Sequence, residues 1–346
     1  MSSAFIKTPL LEQAFACARN LSGETSPRFF LKYEFLQPSG SFKSRGIGNL
    51  ISKKAETIKL GGTKTPHVFA SSGGNAGLAA ATTCKKLSIP CSVVVPQTTN
   101  SRMVERIKNL GADVLIHGRH WKDADTHLRE RVMKNLDISR FQAIYAHPFD
   151  HELIWEGHST IVDEILDTLK QQHVSIDKVK GLVCSIGGGG LYNGIMEGLK
   201  KHSLEWSIPV IGVETVGCQV LNHSLSKGKQ LEFDNVYSIA TSIGTNSISK
   251  KTFENAVQFG LRSVVLTDAE VIETCLKFAD DTNIIPEPAC GAALHLAYNP
   301  QILHRALKKQ LSSEDVIIVI GCGGSASSYS DLLLHSNASR VVKSIS

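Results

Sequence analysis

A strand, a run of glycines and a helix follow one another in residues 181–194, GLVCSIGGGGLYNG. The apolar residues up to Ile186 predict a strand buried on both faces, as in a parallel sheet. The four glycines at 187–190 bring several backbone N–H groups together, and the helix predicted from Leu191 adds positive potential at its N-terminus. This arrangement predicts a phosphate-binding loop of an α/β protein. The alternative is a tight turn that binds nothing, for which one or two glycines suffice.

The spacing of these glycines excludes two common phosphate-binding motifs. None of the four is followed by lysine, so the GxxxxGK[ST] loop of nucleoside-triphosphate-binding proteins is absent here. The dinucleotide motif GxGxxG fails as well, because its last position falls on Tyr192 or Asn193. A single terminal phosphate group remains as the expected ligand.

Outside this stretch, short β-branched runs alternate with helical patterns along the chain. The predicted strands are residues 67–70, 91–95, 113–117, 143–146, 181–186, 210–214, 263–266 and 316–320. The predicted helices are residues 75–87, 101–110, 158–170, 191–201, 269–280 and 290–297. This alternation predicts an α/β protein with mostly parallel, twisted sheets flanked by helices.

Length and composition indicate a globular protein of about two domains. We expect residues 1–45 plus 148–346 to form a large domain and residues 46–147 a small one, because a run of Pro, Asp and His near residue 148 separates two strand–helix series. The 37 Lys and Arg against 32 Asp and Glu leave a net charge of +5, without a basic run that would favour nucleic-acid binding. No uncharged stretch is apolar enough to cross a membrane.

The eight cysteines are dispersed without a CxxC pair, which indicates a reduced protein inside the cell. We expect a cytoplasmic homodimer. A mitochondrial location is the alternative, because Lys7 and Arg19 give the N-terminus some of the positive charge of a presequence.

Two further glycine clusters follow predicted strands. Residues 71–75, SSGGN, offer N–H groups and two hydroxyl groups that suit a carboxylate, although Asn75 could simply cap the next helix. Residues 321–325, GCGGS, follow the most apolar strand. Loops at the carboxyl ends of parallel strands face the ligand crevice of an α/β fold. The three glycine loops therefore predict a single crevice built from distant segments.

A lysine among small residues, Lys43 in residues 38–46, precedes a further helical stretch. Most lysines are solvated surface groups. At a helix N-terminus, however, positive potential lowers the pKa of an amine and makes it a better nucleophile towards aldehydes.

The order of these motifs resembles that of the fold-type II pyridoxal-phosphate enzymes, which share the tryptophan synthase β fold. Within them it is similar to the catabolic L-serine/L-threonine dehydratases of fungi and the liver-type serine dehydratases. The resemblance runs from Lys7 to Ser325 and covers nearly the whole chain. Its motifs, in family order, are Ser41-Phe42-Lys43, residues 71–77, Trp155-Glu156-Gly157-His158, residues 187–190, Glu214-Thr215, residues 287–291 and Cys322-Gly323-Gly324-Ser325.

The resemblance implies how pyridoxal phosphate is held. Lys43 would bind the cofactor as a Schiff base, with Phe42 on one face of its ring and Ser242 on the other. Asn75 would bind the 3′ oxygen of the ring, and Cys322 would lie against the ring nitrogen unless it is simply a small buried side chain. The phosphate would be bound by the backbone amides of Gly187, Gly188, Gly189, Gly190 and Leu191. The substrate carboxylate would be bound by Ser71, Ser72, Gly73, Gly74 and Asn75.

The resemblance also implies the reaction. L-serine would be converted to pyruvate and L-threonine to 2-oxobutanoate by β-elimination, with release of ammonia and with Lys43 as the general base. A thiol at the ring nitrogen is a weak partner that makes the cofactor a moderate electron sink, which favours β-elimination. The alternatives are a β-replacement enzyme related to the cysteine synthases and a catalytically silent ligand-binding relative.

A monovalent cation, usually potassium, lies beside the phosphate loop in related enzymes. Glu214 and the backbone carbonyls of Cys218, Ile243 and Thr245 match its ligand positions, although Glu214 could equally be a carboxylate at a helix start. Gly73 stands where the liver-type enzymes have alanine, and the missing methyl group predicts a looser substrate pocket.

Overall fold

The computed structural model describes residues 4–15 and 26–345, with side chains up to residue 337. Cys17 and Arg19 lie outside the described residues. The chain divides into two compact units: the first comprises Met1–Ile6 and Leu36–His158, and the second comprises Lys7–Phe35 and Ser159–Ser346.

The described residues form ten strands and twelve α-helices. The strands are β1 (Leu10–Glu12), β2 (Arg28–Lys32), β3 (Thr65–Ala70), β4 (Cys91–Val95), β5 (Asp113–Ile116), β6 (Phe141–Ala146), β7 (Val179–Ser185), β8 (Val210–Thr215), β9 (Arg262–Leu266) and β10 (Val316–Ile320). The helices are α1 (Lys43–Gly61), α2 (Asn75–Leu87), α3 (Ser101–Asn109), α4 (Trp121–His127), α5 (Glu152–Gln171), α6 (Gly190–Lys201), α7 (Val220–Lys227), α8 (Lys250–Gln258), α9 (Asp268–Thr282), α10 (Pro288–Tyr298), α11 (Pro300–Leu307) and α12 (Tyr329–Ile345).

The first unit is built on a four-stranded parallel sheet with the order β5-β4-β3-β6. Successive residues of a strand point to opposite faces of the sheet. Val93 and Val95 accordingly pack into one apolar cluster with α1, α2 and α3, whereas Val94 packs into another with Leu128. Both faces of this sheet are therefore covered, which explains why β4 is buried along its whole length and carries three consecutive valines.

The second unit is built on a six-stranded sheet with the order β1-β2-β10-β7-β8-β9. Its strands are parallel except for β1, which pairs antiparallel with β2. The expected α/β class with mostly parallel sheets is confirmed. All eight predicted strands and all six predicted helices are present, and the helix expected at 158–170 begins earlier, at Glu152.

The compact units have different limits from the predicted domains, because residues 36–45 and 148–158 lie in the first unit. Helix α1 starts at Lys43 and continues without a break past residue 46. A Cβ atom on Gly46 would lie 2.5 Å from the ring of His158, and one on Gly157 would lie 2.5 Å from the carbonyl oxygen of Arg45. These close backbone approaches attach the first turns of α5 to α1.

Strand β2 ends in a buried charge. The Nζ atom of Lys32 donates to Oε2 of Glu164 and to the carbonyl oxygen of Thr8, both at 2.6 Å. The backbone N–H of Thr8 donates to the same carboxylate oxygen. Burying a charged amine is costly unless it is paired and hydrogen-bonded. Because both partners must stay in place, this ion pair fixes the segment around Thr8 to α5.

We expect Lys32→Met to lower the free energy of unfolding by about 3–5 kcal/mol, because it leaves the Glu164 carboxylate buried without its cation. Lys7→Met is the matched control, since Lys7 pairs with Asp167 at 3.8 Å on the surface. Such exposed pairs contribute about 0–1 kcal/mol. Urea denaturation of both variants measures the difference, and equal losses would contradict the prediction.

Among the described helices, none is both long and apolar enough to span a membrane.

Candidate active site

The loop at 187–190 connects β7 to α6 and presents its backbone N–H groups at the helix N-terminus. Within the described part of the chain, none of the amides from Gly187 to Leu191 donates to a protein acceptor. Gly189 has a φ of +92°, a conformation that side chains rarely adopt. A helix N-terminus with several such amides is an anion-binding site. The loop therefore fits the phosphate group expected for it.

The N-terminus of helix α8 holds this loop in place through hydrogen bonds to Gly188. The carbonyl oxygen of Gly188 accepts hydrogen bonds from the backbone N–H of Ser249 (3.0 Å) and from the Thr252 hydroxyl (3.2 Å). The side-chain amide of Asn193 donates to the hydroxyl oxygens of Ser249 and Thr252, both at 3.1 Å. A Cβ atom on Gly189 would overlap the Thr252 side chain. The glycine is therefore required by both its backbone conformation and the closeness of α8.

The loop at 321–325 follows β10, which is the hydrogen-bonded neighbour of β7 in the sheet. Because the two strands are parallel, this loop and the phosphate loop leave the same edge of the sheet. The backbone N–H of Gly321 donates to the carbonyl oxygen of Lys32 (2.9 Å), and the carbonyl oxygen of Gly321 accepts from Phe35 (3.0 Å). These bonds fix the start of the loop.

Cys322 is buried, with 3% of its surface exposed. Its hydrogen bond with Cys290, together with burial, raises the pKa of the Cys322 thiol well above its ordinary value. The group is therefore an uncharged thiol, which can act only as a weak hydrogen-bonding partner. This state agrees with the weak ring partner expected at this position.

Glu287 holds the rest of this loop in place. Its backbone N–H donates to the carbonyl oxygen of Gly323 at 3.2 Å, and its Oε2 atom accepts from the backbone N–H of Ala326 at 3.3 Å. From the sequence, Glu287-Pro288 is expected to shape a loop of the crevice. The position of Glu287 just before the N-terminal proline of α10 was the available signal.

Two of the residues proposed to bind the cation, Cys218 and Ile243, lie close together. Cys218 and Ile243 belong to one buried cluster, and their carbonyl oxygens accept from Val220 and Thr245 respectively. Each carbonyl oxygen has a second lone pair for another partner. Ser242, expected on one ring face, is half-buried beside Ile243.

Glu214 is buried at the end of β8, where its carboxylate caps α7. The two carboxylate oxygens accept from the backbone N–H groups of Leu221 (2.9 Å) and Asn222 (2.8 Å). Burial nevertheless raises the pKa of Glu214 to about 7. The structure thus contains the hydrogen bonds expected if Glu214 is a carboxylate at a helix start. Its cation-binding role stays a prediction.

In the first unit, the loop at 71–75 connects β3 to α2. The hydroxyl of Ser72 accepts from the backbone N–H of Gly74 at 3.2 Å, and Asn75 is the buried first residue of α2. The hydroxyl of Ser71 is buried and donates to the carboxylate of Asp125 at 2.7 Å. Ser71 therefore anchors the loop, and its hydroxyl is directed to Asp125.

Asp125 is a buried carboxylate that the sequence analysis did not single out. Its Oδ1 atom also accepts from the Tyr145 hydroxyl (2.5 Å), and its Oδ2 atom accepts from Nε of Arg129 (2.9 Å). Arg129 lies on a single π-helical segment that follows α4, a feature often found at functional sites. Asp125 and Arg129 are only four residues apart, but Tyr145 and Ser71 lie 20 and 54 residues from Asp125, so no local pattern indicates the whole network.

Gly73 lies against Thr99. A Cβ atom on Gly73 would overlap the side chain of Thr99. Thr99 thus occupies the space that a methyl group at position 73 would take, and the looser substrate pocket stays a prediction.

Lys43 is the half-buried first residue of α1. Its Nζ atom donates to the carbonyl oxygen of Pro148 at 2.5 Å and lies 5.1 Å from the centre of the Phe42 ring. The Phe42 ring in turn contacts the buried ring of His158, with centroids 4.8 Å apart. Lysine at a helix N-terminus, beside an aromatic ring, suits an amine that binds an aldehyde.

The described residues contain no group of three or more His, Cys, Asp and Glu side chains that could hold a metal ion. Lys43 and the loop at 71–75 belong to the first unit, and the phosphate loop and Cys322 belong to the second. That all three glycine loops line one crevice stays a prediction.

Comparison with known protein families identifies the class. A family profile described as "Pyridoxal-phosphate dependent enzyme" matches residues 1–323. The chain belongs to the family of pyridoxal-phosphate-dependent enzymes.

Individual relatives narrow this class. The chain is 56% identical to the catabolic L-serine/threonine dehydratase of Saccharomyces cerevisiae, over 96% of this chain and 91% of the relative. It is 34% identical to the L-serine dehydratase of Dictyostelium discoideum, over 93% of this chain and 89% of the relative. A solved fungal L-serine ammonia-lyase from Rhizomucor miehei superposes with a TM-score of 0.82 at 32% identity, covering 98% of this chain and 99% of that one. The family resemblance stated from the sequence is confirmed.

Proposed function

We propose that the protein is a pyridoxal-phosphate-dependent ammonia-lyase that converts L-serine to pyruvate and L-threonine to 2-oxobutanoate, with release of ammonia. The observation that carries the proposal is the row of N–H groups from Gly187 to Leu191, which have no protein acceptor in the described chain and lie at the start of α6. This arrangement suits the single phosphate of the cofactor. The similarity to named serine and threonine dehydratases supports the substrate class.

Bound pyridoxal phosphate would supply an electron sink that makes the Cα proton of an amino acid acidic. Lys43 would hold the cofactor covalently, and its free amine would then remove the Cα proton as general base. Asn75 and Cys322 would bind polar atoms of the ring, while Phe42 and Ser242 would cover its two faces.

The loop at 71–75 would bind the substrate carboxylate through backbone N–H groups and the Ser72 hydroxyl. Anchoring by Asp125 fixes this loop before substrate arrives, so less conformational entropy is lost on binding. The β-hydroxyl group of the substrate would then leave as water. The remaining enamine hydrolyses to an oxo acid and ammonia.

Oxo-acid release from L-serine, L-threonine and D-serine by the purified protein tests this function. We expect pyruvate from L-serine and 2-oxobutanoate from L-threonine in the absence of any thiol. A requirement for a thiol acceptor would instead favour a β-replacement enzyme. Cofactor binding without product from any amino acid would favour a silent ligand-binding protein.

We also propose that potassium binds at Glu214 and the carbonyls of Cys218, Ile243 and Thr245. Glu214 has an ordinary pKa of 4.5, and burial raises it to about 7 in the folded protein. A raised carboxyl pKa favours folding below pH 4.5, and this contribution is lost as the pH rises through about 7. A cation that binds the ionised carboxylate would restore stability above that pH.

We therefore expect potassium to raise the thermal midpoint at pH 8 and to have little effect at pH 5.5. The shift is about 2–4 °C for each kcal/mol of binding free energy. Differential scanning fluorimetry in potassium or tetramethylammonium chloride at equal ionic strength measures it. Glu214→Gln should abolish the shift, whereas Glu270→Gln, which changes the capping carboxylate of α9, should preserve it. An equal potassium effect in Glu214→Gln would refute the assignment.

A cytoplasmic homodimer completes the proposal, with a mitochondrial location as the alternative. The seven described cysteines are all buried free thiols, which fits a reducing compartment. The homodimer is proposed from the family resemblance alone.

A further inference from the structure

A short turn after β6 carries the hydrogen-bond acceptor for Lys43. His147 starts this turn, and its Nδ1 atom accepts from the backbone N–H groups of Phe149 (3.2 Å) and Asp150 (2.8 Å). Pro148 lies between His147 and Phe149, and its carbonyl oxygen accepts from Nζ of Lys43 at 2.5 Å. The ring of His147 therefore closes the turn that directs this carbonyl group towards Lys43.

Aromatic side chains hold the His147 ring in place. The rings of Phe149 and Trp121 contact it edge to face, with centroids 4.7 and 5.8 Å away. The indole N–H of Trp155 also donates to the carbonyl oxygen of Phe149 at 2.9 Å. The turn is thus fixed both at its start and from helix α5.

The protonation state of His147 matches this role. Burial and the nearby charges of Lys43, Arg129 and His151 lower the pKa of His147 to about 4, against the opposing effect of Asp125. At neutral pH the ring is therefore uncharged, and the two backbone N–H groups directed at Nδ1 select the tautomer that carries its proton on Nε2.

We propose that His147 is a positioning residue for Lys43: its Nδ1 atom fixes the turn, and the turn presents the Pro148 carbonyl that holds the free amine. This role rests on the proposed function, which makes Lys43 the reacting amine. A carbonyl oxygen can only accept a hydrogen bond, so it binds an N–H of the amine and leaves the nitrogen lone pair for reaction. Without the turn, the long lysine side chain would sample more rotamers and reach the reactive position less often.

Two substitutions distinguish the effect of the hydrogen-bond acceptor at position 147 from that of the imidazole ring. His147→Asn keeps an oxygen that can accept backbone N–H groups two and three residues ahead, as in common Asx turns. His147→Leu removes the acceptor and retains apolar bulk. His151→Leu is the matched control, because its Nδ1 atom accepts only a local N–H, that of Leu153 at 3.1 Å, in the same segment.

The test measures how fast pyridoxal phosphate attaches to Lys43 in the full-length protein after cofactor removal, by borohydride trapping and peptide mass. It is combined with kcat and KM for L-serine. We expect His147→Leu to slow attachment and to lower kcat about tenfold, because the two hydrogen bonds that close the turn are lost, with KM changed less than about twofold. His147→Asn should recover most of both rates, and His151→Leu should match the wild-type protein.

Three results would be decisive against parts of this scheme. Equal rates in wild-type and His147→Leu proteins would overturn the positioning role while leaving the proposed function intact. His147→Asn as slow as His147→Leu would also overturn it, because the acceptor would then not matter. No trapped cofactor on Lys43 in the wild-type protein would instead refute the proposed function itself.

Discussion

Lys43→Ala is expected to slow oxo-acid release from L-serine by about 10³-fold or more, because the proposed function makes Lys43 both the covalent attachment point and the general base. The visible absorption of lysine-bound pyridoxal phosphate should disappear, while the phosphate loop can still bind the cofactor non-covalently. Steady-state kinetics and an absorption spectrum of the dialysed protein measure the two effects.

Lys53→Ala is the matched control for this variant. Lys53 lies on the same helix, α1, but its side chain is half exposed and pairs with Glu156 on the surface. Loss of such a pair changes stability by about 0–1 kcal/mol and should leave the rate unchanged. A Lys43→Ala protein that keeps a tenth or more of wild-type activity would show that another group is the base.

Gly189→Ala has the second large expected effect, on cofactor binding. The residue has a φ of +92°, and a methyl group there would overlap Thr252. The backbone conformation alone costs about 1–2 kcal/mol for a residue with a side chain. Since relief of the overlap requires the loop to move away from α8, we expect the affinity for pyridoxal phosphate to fall about 10- to 100-fold, the equivalent of a further 1.4–2.8 kcal/mol.

Gly228→Ala separates strain from loop geometry. Gly228 has a φ of +64° at the end of α7, and a methyl group there would meet no atom within 4 Å. The thermal midpoint of the Gly228→Ala protein should fall because of the backbone strain, but its affinity for the cofactor should stay at the wild-type value. Cofactor titration by fluorescence compares the two variants, and equal affinities would argue against the phosphate-binding role of the loop.

Much of the fold could be predicted because its signals are local. Several strands contain continuous apolar runs, such as β10 and the three consecutive valines of β4, and each of the eight predicted strands is present. Strand β2 was missed because it begins with Arg28 and ends with Lys32, which are unusual in a buried strand. The burial of Lys32 depends on Glu164, 132 residues away in the chain, and no local pattern indicates that pairing.

In the candidate site, too, features with a local sequence pattern could be predicted and contacts between distant residues could not. The glycine loops could be recognised because clustered glycines directly after an apolar strand are a local sequence pattern, and the family resemblance assigned a role to each loop. Their supporting contacts could not be recognised, because the partners are distant in sequence: Asp125 is 54 residues from Ser71, Thr252 is 64 from Gly188, and Pro148 is 105 from Lys43. Only folding brings these groups together.

The contact between Gly73 and Thr99 affects how substrate preference should be inferred among related sequences. A glycine at position 73 suggests extra room for a larger amino acid when that position is considered alone. Here the space is taken by Thr99, which lies in another loop. The volume beside the loop proposed to bind substrate is thus a property of two positions, and attempts to change the preferred amino acid by redesign should vary residues 73 and 99 together.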